Sequence, residues 1–422
     1  MGEGGSRPDR PARFRDVFAI GEFRYLWLAQ VFSVAGDQLA AVGVAVLVYH
    51  RTQSPAWTAL VYAMTFLPDL AGGALLAGLA DRYPRRLVMV TADVVRALLV
   101  AVMALPGQSI ALLIVLLIVV QLLASPFSAA RNAVLPAVLT GDRYVAGVTI
   151  TRITVQLGQV LGFAVGAAIV AALGTPVALM VDAGTFVVSA VLVRLGSRPH
   201  RPASVAGAPQ TWWGTVRAGF VLVAADRRLR ALVGLACVSG AYVVPEGLAV
   251  PYAAEIHAGT QAVGWLMAAN PAGMVVGMLL LQRMRPETRV RLMGPLAVAT
   301  CAVLIPTGLA PVLGAAVALW FLSGVASAYN MITNATFVQN VPDHSRGQAV
   351  GLAQAALRVA QGVGIVGSGL LAQLVRPAQV VALAAAIGVL MAVSTATAWS
   401  RADSPNSLRS ADETSEIDSS SA

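Results

Sequence analysis

The connection between the second and third apolar stretches of this chain reads Ala77-Gly78-Leu79-Ala80-Asp81-Arg82-Tyr83-Pro84-Arg85-Arg86. It places one acid and three arginines in a short turn between two long apolar segments. Similar short, arginine-rich connections separate twelve apolar stretches along the 422 residues. A bilayer core of about 30 Å needs about 20 apolar residues per helix, so twelve helices use nearly the whole chain. The pattern predicts an all-α membrane protein with twelve transmembrane helices.

The predicted spans divide into two groups of six around the longest polar connection. We number them 1 to 12, and they cover residues 23–49, 57–79, 87–105, 109–128, 146–173, 177–195, 229–253, 263–281, 290–310, 312–333, 348–375 and 379–399. The predicted organisation is a cytoplasmic N-terminal segment (1–22), an N-terminal six-helix bundle (23–195), a cytoplasmic central loop (196–228), a C-terminal six-helix bundle (229–399) and a disordered cytoplasmic tail (400–422). The tail is predicted to be disordered because it is rich in serine and acids.

Basic residues predict the orientation of these spans. All 29 are arginine, and only 12% of the residues are charged while 57% are hydrophobic. With both termini in the cytoplasm, 24 arginines lie in cytoplasmic segments or at the cytoplasmic ends of spans, two lie outside and three lie deeper within spans. This asymmetry follows the positive-inside rule and predicts a multi-pass protein of a bacterial plasma membrane with both termini cytoplasmic. The net charge of +9 is therefore assigned to cytoplasmic loops and not to nucleic-acid binding, for which the chain has no polar basic domain.

Several kinds of chemistry find no support in the sequence. Cys237 and Cys301 fall within apolar spans, and the four histidines show no metal-ligand spacing, so neither a disulfide framework nor a metal site is indicated. Because the chain has no lysine, it lacks a Gly-x-x-x-x-Gly-Lys nucleotide loop, which argues against ATP as the direct energy source. No nucleophile and base stand out as a pair. We expect neither enzymatic activity nor a cofactor.

The two groups of six spans repeat weakly. A shift of 206 residues superposes five helix-end positions, namely Arg24 on Arg230, Asp81 on Glu287, Arg85 on Arg291, Pro136 on Pro342 and Arg152 on Arg358. A repeat of six spans with unchanged orientation predicts two bundles related by an axis along the membrane normal. Such a pair is expected to enclose a site near the bilayer midplane and to rock around it.

The loop quoted above resembles the signature loop of the major facilitator superfamily, Gly-x-x-x-Asp-Arg-x-Gly-Arg-Arg/Lys. The matching residues are Asp81, Arg82, Arg85 and Arg86, whereas Ala77 and Pro84 stand where the pattern has glycine. The resemblance implies the fold of that superfamily and a loop that acts as a conformational latch. Asp81 would meet a helix N-terminus or an arginine of the other half in one conformation only. The arginines also suit a plain role as positive-inside anchors.

Span 5 carries Gly158-x-x-x-Gly162-Phe163-x-x-Gly166-Ala167. The run resembles the antiporter signature of the same superfamily, with Phe163 in place of proline and Ala167 in place of the last glycine. The resemblance implies export. Glycines four residues apart also let helix backbones approach closely, so ordinary helix packing explains the same pattern.

Acids inside apolar helices are costly, and they are functional candidates by default. Asp37 lies near the middle of span 1, Asp69 lies within span 2, and Glu246 follows Pro245 in span 7. A carboxyl in a dry cavity can bind and release a proton as access switches, so these three are the candidates for proton coupling. Asp37 is the first choice because of its depth, with a structural hydrogen-bonding role as its alternative. Asp182 lies near the outer end of span 6, where we expect it to be hydrated.

Three arginines lie within spans. Arg96 is three residues after Asp93 in span 3, a spacing that allows a local pair and predicts a structural role near the cytoplasmic face. Arg152 and Arg358 occupy equivalent places in spans 5 and 11. They either snorkel toward the interface or face Asp81 or Asp93 and hold the outward-open state. On the second alternative, Asp93, Arg96, Arg152 and Arg358 are assigned to the latch.

Polar and aromatic residues within spans predict a cavity for a small amphipathic organic molecule. The candidates are Gln30, Gln38, Gln156, Tyr242, Trp265, Asn270, Tyr329 and Asn330. Since only 6% of residues are aromatic, most of the lining is expected to be aliphatic. The pair Asn270-Pro271 predicts a break in span 8 that frees backbone groups at the cavity.

The opening of span 1 extends the resemblance. Phe23-Arg24-Tyr25-Leu26-Trp27-Leu28-x-Gln30, Gly36-Asp37-Gln38, Ala92-Asp93-x-x-Arg96 and Pro342-Asp343-x-x-Arg346-Gly347 are similar to the superfamily branch of bacterial enterobactin exporters and macrolide efflux proteins. The resemblance implies a monomeric transporter that exports a drug, a macrolide or a siderophore in exchange for protons. Proton-coupled uptake of a nutrient, and a membrane sensor that transports nothing, are the alternatives. The expected partners are a small-molecule substrate, protons and the lipid bilayer.

Overall fold

The computed structural model describes residues 14–65, 67–76, 79–198, 212–309 and 312–402. Within these ranges the chain is helical, with two short 3₁₀ turns and no β-strand. The helices are α1 (Phe14–Phe18), α2 (Gly21–Thr52), α3 (Pro55–Ala63), α4 (Leu67–Leu76), α5 (Leu79–Arg82), α6 (Arg85–Met103), α7 (Ile110–Val138), α8 (Asp142–Leu173), α9 (Thr175–Gly196), α10 (Trp212–Ala225), α11 (Arg227–Cys237), α12 (Ser239–Tyr242), α13 (Val244–Gly247), α14 (Ala249–Glu255), α15 (Thr260–Gln282), α16 (Pro286–Ala302), α17 (Leu313–Ser327), α18 (Tyr329–Asn340), α19 (Arg346–Leu371) and α20 (Pro377–Ala402). The predicted tail lies outside these residues from position 403 onward.

Ten helical stretches in the described part are long and apolar enough to cross a membrane by length and composition. They correspond to predicted spans 1 and 4 to 12, so the all-α membrane fold is confirmed. Span 2 is divided among α3, α4 and α5, each of which is short. Span 3 is α6, which has 19 residues and carries Arg85, Arg86, Asp93 and Arg96. These charges need partners inside the protein, because lipid cannot solvate them.

The predicted break at Asn270-Pro271 is wrong, because α15 runs through Pro271 from Thr260 to Gln282. The interruption occurs instead in span 7, which consists of α11 to α14. Proline has no N–H to donate to the preceding turn, and Pro245 and Pro251 lie in the first turns of α13 and α14. The consequence is an irregular backbone around Tyr242 and Glu246.

The described residues fall into two compact units. Unit 1 comprises Met1–Gln53, Met64–Gly207 and Gly259–Pro271. In this unit α2 packs against α8 and α9, α6 packs against α7 and α9, and α4 packs against α7. One of its hydrophobic clusters consists of residues from α2, α6, α7 and α9, with Leu26, Met89, Phe127 and Val193 among its buried members.

Unit 2 comprises Ser54–Ala63, Ala208–Ala258 and Ala272–Ala422. In this unit α20 packs against α11 and α16, and α19 packs against α3, α10 and α12. Helix α10 lies within the stretch predicted as the central loop. Each half of the sequence therefore supplies one segment to the other unit, since α3 belongs to unit 2 and the beginning of α15 belongs to unit 1.

The predicted repeat reappears in the helix contacts. In unit 1, a Cβ atom at Gly158 of α8 would lie 3.0 Å from a methyl carbon of Val34 in α2. In unit 2, a Cβ atom at Gly364 of α19 would lie 1.9 Å from the carbonyl oxygen of Gly240 in α12. Gly364 and Gly240 each follow their counterparts by 206 residues. The two units thus use the same pair of positions for the same helix contact.

Candidate functional site

A charged cluster in unit 1 is centred on Arg96 of α6. Its Nη2 atom donates to Asp37 Oδ1 of α2 at 2.6 Å, and its Nη1 atom lies 3.7 Å from Asp93 Oδ1. The Arg96 side chain is 1% exposed, and Asp93 is fully buried. The predicted Asp93–Arg96 pair is confirmed, but it lies in the middle of α6, where Asp37 is the nearer partner of the arginine.

The remaining groups around the arginine are polar or aromatic. Ser33 Oγ accepts a hydrogen bond of 3.3 Å from Arg96 Nη1, and the guanidinium carbon lies 4.1 Å from the centre of the Phe186 ring. Ser189 Oγ donates to Asp93 Oδ2 at 2.5 Å. Arg96 is therefore held on three sides by α2, α6 and α9, so its position is fixed by packing as well as by charge.

Asp182 of α9 is a third acid in this cluster. A Cβ atom at Gly36 would lie 2.2 Å from Asp182 Oδ1, so the carboxyl packs directly against α2 beside Asp37. Asp182 interacts electrostatically with both Asp37 and Arg96. The prediction that Asp182 is hydrated is wrong, because its side chain is 1% exposed. Three carboxyl groups thus lie around one guanidinium: Asp37 and Asp93 pair with it, while Asp182 accepts a 3.3 Å hydrogen bond from Thr185 and acts on the arginine at longer range. Asp37, at 23%, is the most exposed of the four side chains.

The three glycines of span 5 face the helix that carries Asp37. Cβ atoms at Gly158, Gly162 and Gly166 would meet Val34, Ala35 and Leu39 of α2 at 3.0, 2.7 and 2.8 Å. On a different face of α8, Phe163 and Ala167 are buried, and Gly264 of α15 packs against both. Close backbone approach along this line holds α2, and with it Asp37, against α8.

The latch arginines bond to backbone atoms in unit 1. Arg85 Nη1 donates to the carbonyl of Ala133 in α7 at 2.7 Å, and Arg86 Nη1 donates to that of Ser197 at 3.3 Å. Both acceptors lie near helix C-termini, where a positive charge is favourable. Arg82 is exposed. The side chains of Asp81 and Asp69 lie outside the described residues, and their roles stay predictions.

A second acidic site lies in unit 2. Tyr62 of α3 donates from its hydroxyl to Glu246 Oε2 of α13 at 2.7 Å. Tyr62 is 3% exposed, while Glu246 is half-buried. Arg358 of α19 interacts electrostatically with Tyr62, and its Nη1 atom lies 3.5 Å from Gln361 Oε1. Arg152, its counterpart in unit 1, is exposed.

Two of the predicted cavity residues meet beside this acid. Asn330 Nδ2 of α18 donates to the hydroxyl of Tyr242 in α12 at 2.5 Å. Tyr242 lies one helical turn before Glu246 and interacts with it electrostatically. Tyr329 is fully buried, and its hydroxyl donates to the carbonyl of Leu235 at 2.8 Å. Tyr329 therefore serves the packing of unit 2, while Tyr242 and Asn330 join Glu246.

The other cavity candidates lie in unit 1. Gln30 and Asn270 are buried, Gln38 and Gln156 are half-buried, and Trp265 is 55% exposed. Gln38 lies beside Gly162, as its Cβ atom would be 2.7 Å from one added at that glycine. Among the described residues, no three histidine, cysteine, aspartate or glutamate side chains are grouped so that they could hold a metal ion.

Three partners in these sites were not predicted from the sequence, namely Asp182, Ser189 and Tyr62. Asp182 lies seven residues after the start of α9, about 10 Å along the helix, which is a third of the bilayer core. That depth was available from the sequence once the helix start was moved to Thr175. No sequence signal links Ser189 to Asp93 or Tyr62 to Glu246, because those contacts depend on which helices pack together.

Comparison with known proteins decides the family. The family model described as Major Facilitator Superfamily matches residues 26–246 and 231–420. The chain belongs to the major facilitator superfamily. It is a multi-pass membrane transporter of that superfamily, as the resemblance of the loop at Asp81 implied. An MFS-type transporter of Bacillus subtilis (strain 168), YkuC, described as uncharacterized, is 25% identical over 295 residues, which are 64% of this chain and 67% of YkuC.

Solved structures of major facilitator transporters share the fold. A crystal structure of the nucleoside transporter NupG has a TM-score of 0.68 at 15% identity, over 90% of this chain and 98% of that one. A bacterial homologue of the human lysosomal transporter Spinster, inward-facing and occupied, has a TM-score of 0.67 at 16% identity over 94% and 96%. A POT family transporter in complex with a thioalcohol-conjugated peptide has a TM-score of 0.70 at 11% identity over 92% and 97%.

Proposed function

We propose that this major facilitator transporter exports a small amphipathic organic molecule in exchange for protons, by alternating access. The observation that carries the proposal is the cluster in which Asp37, Asp93 and Asp182 lie around Arg96. It lies at the middle of the helices, where a transporter of this kind needs its coupling group. Asp37 is the proposed proton carrier.

The charge balance of the cluster supports proton binding. One guanidinium offsets one carboxylate, so the fully ionised cluster would carry two uncompensated negative charges. An isolated charge in a low-dielectric interior is costly, and binding a proton removes that cost. Because α2, α6 and α9 all contribute to the cluster, a change in its protonation state acts on the packing of three helices at once.

Accessibility selects Asp37 among the three acids. Its side chain is 23% exposed, whereas Asp93 and Asp182 are buried and Asp93 is further fixed by Ser189. A proton reaching Asp37 weakens its 2.6 Å bond to Arg96 and leaves the arginine to Asp93 and Asp182. The proposed cycle therefore moves Arg96 between one acceptor that exchanges protons and two that stay buried.

We infer that the direction of transport is export and that the chain belongs to the enterobactin-exporter and macrolide-efflux branch. Both inferences come from sequence motifs and not from the fold. The supporting residues are the glycine run of α8 and the motif around Gly36-Asp37-Gln38. The fold is shared with a nucleoside transporter and with a POT family transporter, so it sets neither direction nor substrate. Drugs, macrolides and siderophores are the proposed substrate classes.

We propose that the chain lies in a bacterial plasma membrane as a monomer with both termini cytoplasmic. The arginine asymmetry supports this orientation. The ends bonded by Arg85 and Arg86 are then cytoplasmic, and we propose that Asp81, Arg82, Arg85 and Arg86 form the conformational latch. The residue ranges 23–195 and 229–399 remain the proposed six-helix bundles.

The experiment that tests the function compares wild type with Asp37→Asn in everted membrane vesicles. Respiration acidifies their lumen, so export from the original cytoplasm appears as accumulation of a labelled macrolide or siderophore while protons leave the lumen. We expect accumulation that vanishes with a protonophore and in Asp37→Asn. The matched control is Asp142→Asn, since Asp142 is an exposed acid at the start of α8.

Two results would contradict the proposal. Proton-driven accumulation that persists in Asp37→Asn would remove Asp37 as the carrier. Depletion of substrate from acidified vesicles, with accumulation in intact cells, would establish uptake instead of export.

A further inference from the structure

We propose that Glu246, together with Tyr62, Tyr242 and Asn330, forms a binding site for an organic cation, such as a substrate with a protonated amine. The inference rests on the proposed function in one respect, namely that the chain transports a small amphipathic molecule, and it names the class of that molecule. It also gives Glu246 a role different from the proton coupling predicted from the sequence.

Glu246 has no basic partner in the described part of the chain. Among the described residues, its one hydrogen-bond donor is Tyr62, at 2.7 Å, and none of their basic side chains lies within ion-pairing distance of its carboxylate. This distinguishes it from Asp37, which is bonded to Arg96, and from Glu255, which accepts 2.9 Å bonds from Arg376 and from the backbone of Ala378. A carboxylate inside a membrane protein without a counter-ion is costly, and a bound cation supplies that counter-ion.

The surroundings of Glu246 suit an amphipathic cation. Tyr62 and Tyr242 provide aromatic rings on α3 and α12, and such rings attract cations through their faces. The Asn330 amide bonded to Tyr242 adds a polar group. Glu246 itself is half-buried as a residue. The backbone interruption at Pro245 brings the acid to the start of a new helical segment, beside irregular backbone that lines cavities in membrane proteins.

The charged and titratable groups around this site come from α3, α12, α16, α18 and α19, and those of α16 and α18 are Cys301 and Tyr329, which both interact electrostatically with Tyr242. Tyr62 reaches it from α3 and Tyr242 from α12, and Arg358 of α19 acts on Tyr62. No ion pair joins Arg358 to Glu246 among the described residues, so the arginine does not occupy the carboxyl group that a ligand would meet. A cation is expected to bind on the side of Tyr242 and Asn330, away from Arg358.

The test measures equilibrium binding to the purified full-length protein in detergent, with two probes of similar shape. Tetraphenylphosphonium carries a positive charge, and triphenylphosphine oxide is neutral. We expect wild type to prefer the cation and Glu246→Gln to bind it at least tenfold more weakly. The control Glu287→Gln removes an exposed acid of α16 and is expected to bind the cation as wild type does. Glu246→Asp retains the charge and is expected to bind more tightly than Glu246→Gln.

Three outcomes would overturn the assignment. These are wild-type affinity in Glu246→Gln, equal binding of both probes, and no binding of the cation by wild type. A general folding defect is separated by Glu246→Asp and by thermal unfolding of each variant. Because binding in detergent requires no gradient, the result does not depend on direction or proton coupling. Asp37→Asn is therefore expected to bind the cation even though it fails in the vesicle experiment.

Discussion

The two units use equivalent helix contacts, but the residues at those contacts are charged in unit 1 and small and apolar in unit 2. In unit 1, α9 packs against α2 through a carboxyl group, Asp182 against Gly36, next to the Arg96 cluster. In unit 2, α20 packs against α12 through Gly388, where a Cβ atom would lie 2.6 Å from that of Ala241 and from the sulfur of Cys301. Asp182 and Gly388 are 206 residues apart, so they occupy one position of the repeat.

The replacement of a charged residue in unit 1 by an apolar one in unit 2 extends to the whole Arg96 cluster. The shift of 206 residues places Val243, Ala299, Ala302 and Gly388 at the positions of Asp37, Asp93, Arg96 and Asp182. Ser33 accepts a hydrogen bond from Arg96, whereas Ser239 at the same repeat position is buried without a hydrogen-bond partner in the described part of the chain. One unit therefore carries the shared arginine, and the other keeps the helix packing with small apolar residues and places a single acid, Glu246, one turn away.

The largest effect is expected for Arg96→Met, which removes the cation from three acids. Breaking a buried ion pair by removing one partner costs about 3–5 kcal/mol, because the remaining charge stays buried. Unfolding can be followed with a maleimide fluorophore, since Cys301 is buried and reacts once the helices separate. The control is Arg152→Met at an exposed position of α8. Equal stability of the two variants would show that Arg96 does not hold the cluster together.

The equivalent glycines Gly158 and Gly364 provide the next comparison. Gly364→Ala drives a Cβ atom into the backbone carbonyl of Gly240, and overpacking of this kind costs about 2–3 kcal/mol. Gly158→Ala meets only the Val34 side chain, at 3.0 Å from a methyl carbon and 3.4 Å from Cβ, so a shift of a few tenths of an ångström suffices and we expect a cost below about 1 kcal/mol. Unfolding followed with the same maleimide fluorophore compares the stability of the two variants. Gly367→Ala is the control, because a Cβ atom added there meets nothing within 4 Å. A reversed order would mean that the helices in unit 1 approach more closely than those in unit 2.

A smaller effect is expected for Ser189→Ala. The hydroxyl bonds the fully buried Asp93, and a hydrogen bond to a charged group contributes about 1.5–3 kcal/mol. Ser394→Ala in α20 serves as the control, because Ser394 is exposed and bonds only within its own helix. Unchanged stability of Ser189→Ala would indicate that Asp93 is satisfied by Arg96 alone.

Among the hydrogen-bond deletions, the smaller effect is expected for Tyr329→Phe in unit 2. Its hydroxyl bonds the backbone of Leu235, and both groups are neutral, so the loss should be about 1 kcal/mol. The measurement compares the loss of stability in Tyr329→Phe with that in Ser189→Ala under identical conditions. A larger loss in Tyr329→Phe would contradict the view that charge is concentrated in unit 1.

Positions of the spans could be predicted from the sequence, because lipid requires about 20 apolar residues at a stretch. That requirement identified α2, α8 and α9 within a few residues of their ends, and it exposed the 206-residue repeat. The positions of helix interruptions could not be predicted in the same way. A break was expected at Pro271 and occurs in span 7 instead, because the packing around a proline decides whether it interrupts a helix or is accommodated in it.

Candidate acids could also be identified, since any acid in an apolar helix must have a reason to be there. Their partners could not. Arg96 was assigned to the latch near the cytoplasmic face, yet its nearest acid is Asp37, 59 residues away in sequence. Asp182 was placed in water, although α2 covers it. A side chain's neighbours depend on helix rotation and on helix order, and neither follows from hydropathy.

Hydropathy and motifs are enough to recognise a major facilitator transporter whose membrane-spanning helices carry acids where lipid would exclude them. Which of those acids pair with a cation, and which has no cation beside it among the described residues, follows from how the helices pack. The packing of α3 against α19 also brings Tyr62 to Glu246. The physical reason is that hydrophobicity acts residue by residue along the chain, whereas ion pairs and hydrogen bonds act over a few ångströms between helices that only packing brings together.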